Sequence, residues 1–151
     1  MALFAGTYSH NIDKNNRLFI PAKLRDFLGK TFLLYKPLSG DKCLSGYTPE
    51  DWEEAIKIAT ADMPAGRERT DLLRDIYENL DVVEIDQQGR ITIGADFCEY
   101  ANLDKEVFLF GAGRHFEIWN RADYETMRAE RDAARQAEKA KGKDTAIHLQ
   151  F

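Results

Sequence analysis

The sequence predicts an α+β fold built on a pseudo-two-fold duplicated β-β-α-β unit, with additional helices. Three observations predict it. The segment NIDKNNRLFIPAKLR at 11–25 returns 73 positions later as EIDQQGRITIGADFCE at 84–99. That offset aligns Asp13 with Asp86, Arg17 with Arg90, Ile12 with Ile85, Leu18 with Ile91 and Ile20 with Ile93. The echo continues downstream: KTFLLY at 30–35 matches KEVFLF at 105–110, and YTPEDWE at 47–53 matches WNRADYE at 119–125. Two copies in 151 residues are too few for a solenoid, whereas a chain of that size can bury a core of its own. The expected organisation is a single domain over 1–151, with repeats at about 7–53 and 80–125, a helical linker at 49–80, and a C-terminal helix and tail at 121–151.

Thr7–Ile12 and Arg17–Ile20 read as short strands. The loop Asp13–Asn16 between them reads as a hairpin-type turn, because Asn tolerates the left-handed backbone such turns need. The second loop, Asp86–Gly89, has glycine where the first has Asn16, and both residue types suit positive φ. Pro21 suits the first position of a helix and Gly29 its end, with Leu24, Phe27 and Leu28 as the apolar stripe. In the second copy Gly94 stands in place of Pro21, followed by Phe97, Tyr100, Ala101 and a stop at Asn102. Thr31–Tyr35 and Glu106–Phe110 are apolar runs that predict strands buried on both faces. Further strands follow near Cys43–Tyr47 and His115–Trp119. Each then meets a helix start, Thr48 with Pro49 beside it and Asn120 with Asp123 three residues on. The helix from Pro49 carries Trp52, Ala55, Ile56 and Ala59 at helical spacing. Beyond a break at Met63–Gly66, another carries Leu72, Leu73, Ile76, Tyr77 and Leu80. The last helix starts near Arg121, shows Tyr124 and Met127, and becomes Ala- and charge-rich through Lys141, as a solvated extension or a partner-contact arm. Gly142–Phe151 is expected to fray.

Hydrophobic residues make up 44% of the chain and charged residues 31%, an ordinary globular balance. No apolar run approaches the roughly 20 residues needed to cross a bilayer, and the opening MALFAGTYSHNID does not read as a secretory signal. Cys43 and Cys98 share no metal or redox spacing and read as reduced packing residues. His10, His115 and His148 are not spaced as metal ligands, no nucleophile motif or phosphate loop is present, and GAG at 111–113 reads as a turn. Trp52 and Trp119 read as core. These observations point away from an enzyme, and no cofactor, metal, membrane or small-molecule substrate is expected. The net charge of −5 is unevenly spread: +4 over residues 1–36, −11 over 37–126 and +2 over 127–151. DNA responds to local basic surface rather than to the total, so a basic N-terminal unit on an acidic body permits DNA binding.

The candidate binding residues cluster on the doubled loops. Arg17 and Arg90 each follow a polar tetrapeptide, and a guanidinium presents a planar fork of donors suited to phosphate or the guanine edge. Their alternative role is local, pairing with Asp13 and Asp86 to brace the turn. For the aspartates bracing is the stronger reading, since an acid facing phosphate would be repelled; Gly89 joins them as the positive-φ residue. Lys14 at the first loop's tip corresponds to Gln87, so the first loop would grip electrostatically and the second through amides. Asn15, Asn16, Gln87 and Gln88 suit base-edge reading and equally suit solvated turns. Lys23 and Arg25, absent from the second copy, read either as phosphate contacts or as a solvated helix face.

At these doubled D-x-x-x-R loops the chain resembles the MraZ family of bacterial transcriptional regulators, tandem relatives of the AbrB-like swapped-hairpin fold. The resemblance rests on GTYSHNID, RLFIPAKLR, IDQQGRITI and EIWNRADYE, and runs from about residue 3 to 128. It implies a double-psi or swapped-hairpin type barrel and a homo-oligomeric ring. The ring's loops would contact double-stranded DNA at short direct repeats upstream of a cell-division and cell-wall operon. It also implies a cytoplasmic, nucleoid-associated location. In the family pattern the first loop reads D-x-K-G-R, and its Arg belongs to the DNA-contacting element, which carries to Arg17 and Arg90. This chain departs by placing Asn15 and Asn16 at the Lys-Gly positions, Lys14 one position early, and Gly94 at an expected Pro. The expectation is a sequence-specific regulator acting as a repressor. The rival is an oligomeric protein-interaction or assembly module that does not bind DNA.

Overall fold

Four of the six strand pairings in the fold join one repeat to the other. The computed structural model describes residues 1–142; the tail expected to fray lies outside the described residues from 143 onward. The first repeat supplies β1 (Thr7–Asn11), β2 (Arg17–Phe19), α1 (Ala22–Arg25), β3 (Thr31–Tyr35) and β4 (Leu44–Tyr47). Two helices follow, α2 (Pro49–Thr60) and α3 (Arg67–Glu78). The second repeat supplies β5 (Leu80–Glu84), β6 (Arg90–Thr92), α4 (Ala95–Tyr100), β7 (Glu106–Gly111) and β8 (Phe116–Asn120), and α5 (Arg121–Ala140) follows. Residues Met1–Asn120 form one compact unit, and a second begins at Arg121. Within that second unit α5 is braced along its own surface by Arg121–Glu125 and Arg135–Asp132 ion pairs.

An antiparallel six-stranded sheet runs β1-β7-β8-β4-β3-β5, and β2 pairs with β6 in a separate two-stranded ribbon. Interchanging the repeats turns the strand order into itself. Thr7 opposite Phe110 mirrors Leu80 opposite Tyr35, and the central β4–β8 pair sets Ser45 against Glu117. This is the mixed α and β duplicated architecture that the repeat predicted. The hairpin reading of each loop is corrected, however. β1 pairs with β7 and β2 with β6, so the strands flanking Asp13–Asn16 do not pair with each other, and the one backbone bond closing the loop's ends runs from Asp13 N–H to Arg17 O. Each would-be hairpin opens, and its second strand is shared with the other repeat. A sequence shows the turn but not the partner, because a three-residue strand pairs equally well with either neighbour in the ladder.

Burial follows from strand periodicity. Leu18, Ile20, Ile91 and Ile93 point from the ribbon into a core that also holds Leu24, Phe32, Leu34, Phe97, Leu109, Phe116 and Ile118. The sheet's opposite face packs Leu33 on Trp52 and Ile76. β3 is thus buried on both faces as expected. In β7, by contrast, Phe108 and Phe110 are only half-buried, alternating with buried Val107 and Leu109. Thr48 caps α2, its Oγ1 accepting from Asp51 N–H at 3.0 Å.

Several expected helix details shift. α1 stops at Arg25, Pro21 precedes it as the cap residue, and Gly29 takes no positive φ. Phe27 stays partly exposed and meets the Phe4 ring edge-on. Ala59 and Tyr77 face outward, although Tyr77 Oη still accepts from Trp52 Nε1 at 3.3 Å. Leu80 belongs to β5 rather than to α3. In the second repeat Asn102 ends the helical segment at φ 53°, as expected.

Candidate nucleic-acid interface

Each loop is tied by the same set of bonds. Asn16 N–H donates to Asp13 O at 3.1 Å, and Gly89 N–H donates to Asp86 O at 3.0 Å. The residues closing the turns, Asn16 (φ 60°) and Gly89 (φ 81°), adopt the left-handed backbone predicted from their identities. Asp13 Oδ1 accepts from the backbone N–H of Asn15 and Arg17, both at 2.9 Å, while Oδ2 accepts from Arg17 Nε at 2.8 Å. Asp86 repeats this with Gln88 N–H at 2.8 Å, Arg90 N–H at 2.9 Å and Arg90 Nε at 3.3 Å. These bonds hold both carboxyls below the usual aspartate range, with the backbone N–H of the following Arg as the largest cause. Pairing uses Nε, so each Arg keeps its Nη nitrogens at the outer end. Arg90 Nη2 also donates to Gln88 Oε1, while among the described residues the Nη groups of Arg17 meet no acceptor.

The ribbon determines where these arginines stand. Its register sets Arg17 opposite Thr92, Leu18 opposite Ile91 and Phe19 opposite Arg90. Because Leu18 and Ile91 are buried, strand alternation turns Arg17, Phe19, Arg90 and Thr92 to the outer face. The loops lie at opposite ends of the ribbon. Ile93 N–H donates to Asn16 O at 2.8 Å, and Ile20 N–H donates to Gly89 O at 2.9 Å. Four ladder steps of about 3.3 Å place the two loop ends roughly 13 Å apart along the strands.

The other candidates surround this face. Lys14, Asn15, Gln87, Gln88 and Lys23 are exposed, and Asn16 is half-buried. Arg25 is more fixed than a solvated helix residue: its Nε donates to Ile20 O at 2.8 Å and its Cζ lies 5.3 Å from the Phe19 ring centre. The Phe19 ring also lies 5.3 Å from that of His10. Phe19 and His10 were absent from the candidate set. Their signal was available for Phe19, since any residue two from Arg17 across an inward Leu18 shares the outer face.

Elsewhere, both cysteines are free and buried, and burial pushes both thiols up. His115 Nε2 lies 2.8 Å from Glu117 Oε2, and the His115 ring stacks on Tyr47. Among the described residues no group of three or more His, Cys, Asp or Glu is placed to hold a metal ion. None of their helices is long and apolar enough to cross a membrane.

Comparison with known proteins agrees with this duplicated architecture. The MraZ protein family model matches the chain twice, over residues 3–74 and 76–145. The transcriptional regulator MraZ of Dictyoglomus thermophilum is 37% identical over 128 residues, covering 85% of this chain and 86% of that protein. Those of Acetivibrio thermocellus and Heliobacterium modesticaldum are 34% and 38% identical, over 82% and 79% of this chain and 85% and 82% of theirs. With both halves matched and relatives aligned over most of their length, the chain belongs to the MraZ family, whose members are transcriptional regulators and not enzymes.

Proposed function

We propose that this protein regulates transcription by binding double-stranded DNA through the outer face of the β2–β6 ribbon and the loops at its two ends. Arg17 and Arg90 are the principal contacts, with Lys14, Asn15, Asn16, Lys23, Arg25, Gln87 and Gln88 around them. Asp13, Asp86 and Gly89 brace the loops. The observation that carries this reading is the doubled Asp–Arg geometry: a carboxylate spends itself on backbone N–H groups and one Nε, which leaves the forked Nη end of Arg17 for an anion, and leaves Arg90 an Nη1 beside the Nη2 that Gln88 steadies. The ligand would be short direct repeats upstream of a cell-division and cell-wall operon, bound by a ring of identical subunits acting in the cytoplasm on the nucleoid. Residues 1–151 act in this reading as one unit of two repeats. Occupancy beside a promoter obstructs polymerase, which gives repression.

Among the described residues β1 and β5 end the sheet and pair on one side only, which supports self-association, since unpaired edges recruit further strands unless they are covered. The test is a fluorescence-anisotropy titration with repeat-containing and scrambled duplexes, alongside light scattering. Arg17→Ala removes a charge-assisted contact of about 1.5–3 kcal/mol. Binding should therefore fall about tenfold or more, with oligomer size unchanged. Equal binding to both duplexes, or a collapsed assembly, would favour the protein-interaction module instead.

A further inference from the structure

The pseudo-two-fold is broken on the outer ribbon face in one concerted way. The 73-residue offset carries His10 to Val83, Phe19 to Thr92, Lys23 to Asp96 and Arg25 to Cys98. At the Gly89 end, the His10 and Arg25 groups both lie 5.3 Å from the Phe19 ring centre. The Arg25 guanidinium also rests against Gly89, where a Cβ would come within 3.2 Å of Cζ. At the Asn16 end the counterparts are uncharged or acidic. Cys98 Sγ reaches Ile93 O at 3.8 Å, as Arg25 Nε reaches Ile20 O, but brings no cation. Asp96 replaces Lys23 and is ion-paired at 3.5 Å with Lys36; Glu99 adds a second carboxylate to that helix where α1 has Asp26.

Partner exchange makes this asymmetry functional. Because Ile20 N–H bonds Gly89 O, α1 stands beside the Asp86–Gly89 loop and not beside the loop that precedes it in sequence. In the same way α4 stands beside Asp13–Asn16 through the Ile93–Asn16 bond. The second loop, whose tip residues Gln87 and Gln88 carry no charge, therefore has Arg25 from the first repeat against its Gly89, with exposed Lys23 on the same short helix. The first loop, which has its own Lys14, is flanked by Asp96 and Glu99.

We infer that Lys23 and Arg25 complete the second repeat's loop into an anchoring phosphate clamp, leaving the Asp13–Arg17 end as the weaker grip, and that this inequality orients each subunit on the duplex. The inference rests on the DNA-binding reading above and deepens it. Two equivalent ends would accept a repeat in either direction. Unequal ends favour one direction, which is what a row of like-facing subunits needs on direct repeats.

The experiment titrates full-length wild type, K23Q, R25Q and R17A against the duplex upstream of the operon at several salt concentrations. A second duplex has one repeat inverted. K23Q and R25Q should each lower the slope of log affinity against log salt by about 0.9 per lost phosphate contact. Inverting a repeat should weaken wild-type binding, and R25Q should blunt that discrimination. Lys23 is exposed, so K23Q decides the matter if R25Q alters melting or assembly size. Should R17A lose binding while both K23Q and R25Q keep the wild-type slope, the clamp is wrong and the DNA reading stands. Indifference of the wild type to inversion overturns the orientation claim, and absence of wild-type binding at low salt overturns both.

Discussion

A carboxylate beside an arginine proposed to bind an anion would be self-defeating if it faced the anion, yet Asp13 and Asp86 spend their charge locally. Each holds two backbone N–H groups and one Nε, so ionisation fixes the fork's direction. Those bonds hold the pKa of each below the ordinary value of 3.8. A group depressed on folding contributes stability that is complete above its unfolded value and drains away as pH falls through its folded value. Carboxyl-carbon NMR titration should therefore place both midpoints below 3.8, with the loops intact at neutral pH. Midpoints at or above that value would mean the bonds do not persist in solution. A different constraint operates at Gly46, in the central β4–β8 pair. A Cβ there would come within 2.3 Å of the Phe116 ring, which is fully buried and has nowhere to go. Gly46→Ala should destabilise the fold by about 1–3 kcal/mol, read as a lower urea midpoint; an unchanged midpoint would contradict this packing.

At the scale of elements, the two short helices start from nearly the same backbone despite different residues. Pro21 has φ −55° and ψ 145°, and Gly94 has φ −57° and ψ 147°. Gly94 thus pays for a freedom it does not use. Gly94→Pro keeps the carbonyl that accepts from Cys98 N–H. Its one close neighbour is Asp96 Oδ1, on a largely exposed side chain. The substitution should stabilise the protein by about 0.4–1 kcal/mol, a rise in Tm of roughly 1–4 °C. A fall would show that Asp96 cannot move aside. The same elements show what was legible in the sequence. Loop shape, the Thr48 cap and the Asn102 stop depend on the conformational preferences of single residues, and these could be read directly. Strand partnership could not, because β2 has only three residues and its partner is chosen by bonds such as Ile20–Gly89 between distant segments. For the same reason the candidate arginines were visible as a motif, while the Phe19–Arg25 stack at the far loop was not. It exists only once the repeats have exchanged strands.

The whole molecule carries a net charge of −5, yet Arg17, Arg25 and Arg90 gather about one ribbon. On the DNA-binding reading proposed above, so few cations per subunit would give a weak grip against general repulsion, and useful affinity would come from several subunits engaging one duplex. Linked contacts multiply only if the sites match the assembly's spacing. Repeats one helical turn apart, about 10 bp, present the same groove face to successive subunits; a shift of about 5 bp turns alternate sites to the far side. Adding a second in-phase repeat should therefore tighten binding by roughly 10² to 10⁴-fold, and a half-turn insertion should return affinity to near the single-repeat value. Anisotropy titrations on one-repeat, two-repeat and half-turn-shifted duplexes at one salt concentration measure this directly. If the shifted duplex binds as tightly as the phased one, the subunits bind independently and the single ribbon must be strong enough by itself. A large affinity would then have to arise from base contacts within one subunit, and Arg17→Ala would cost the same on one repeat as on several.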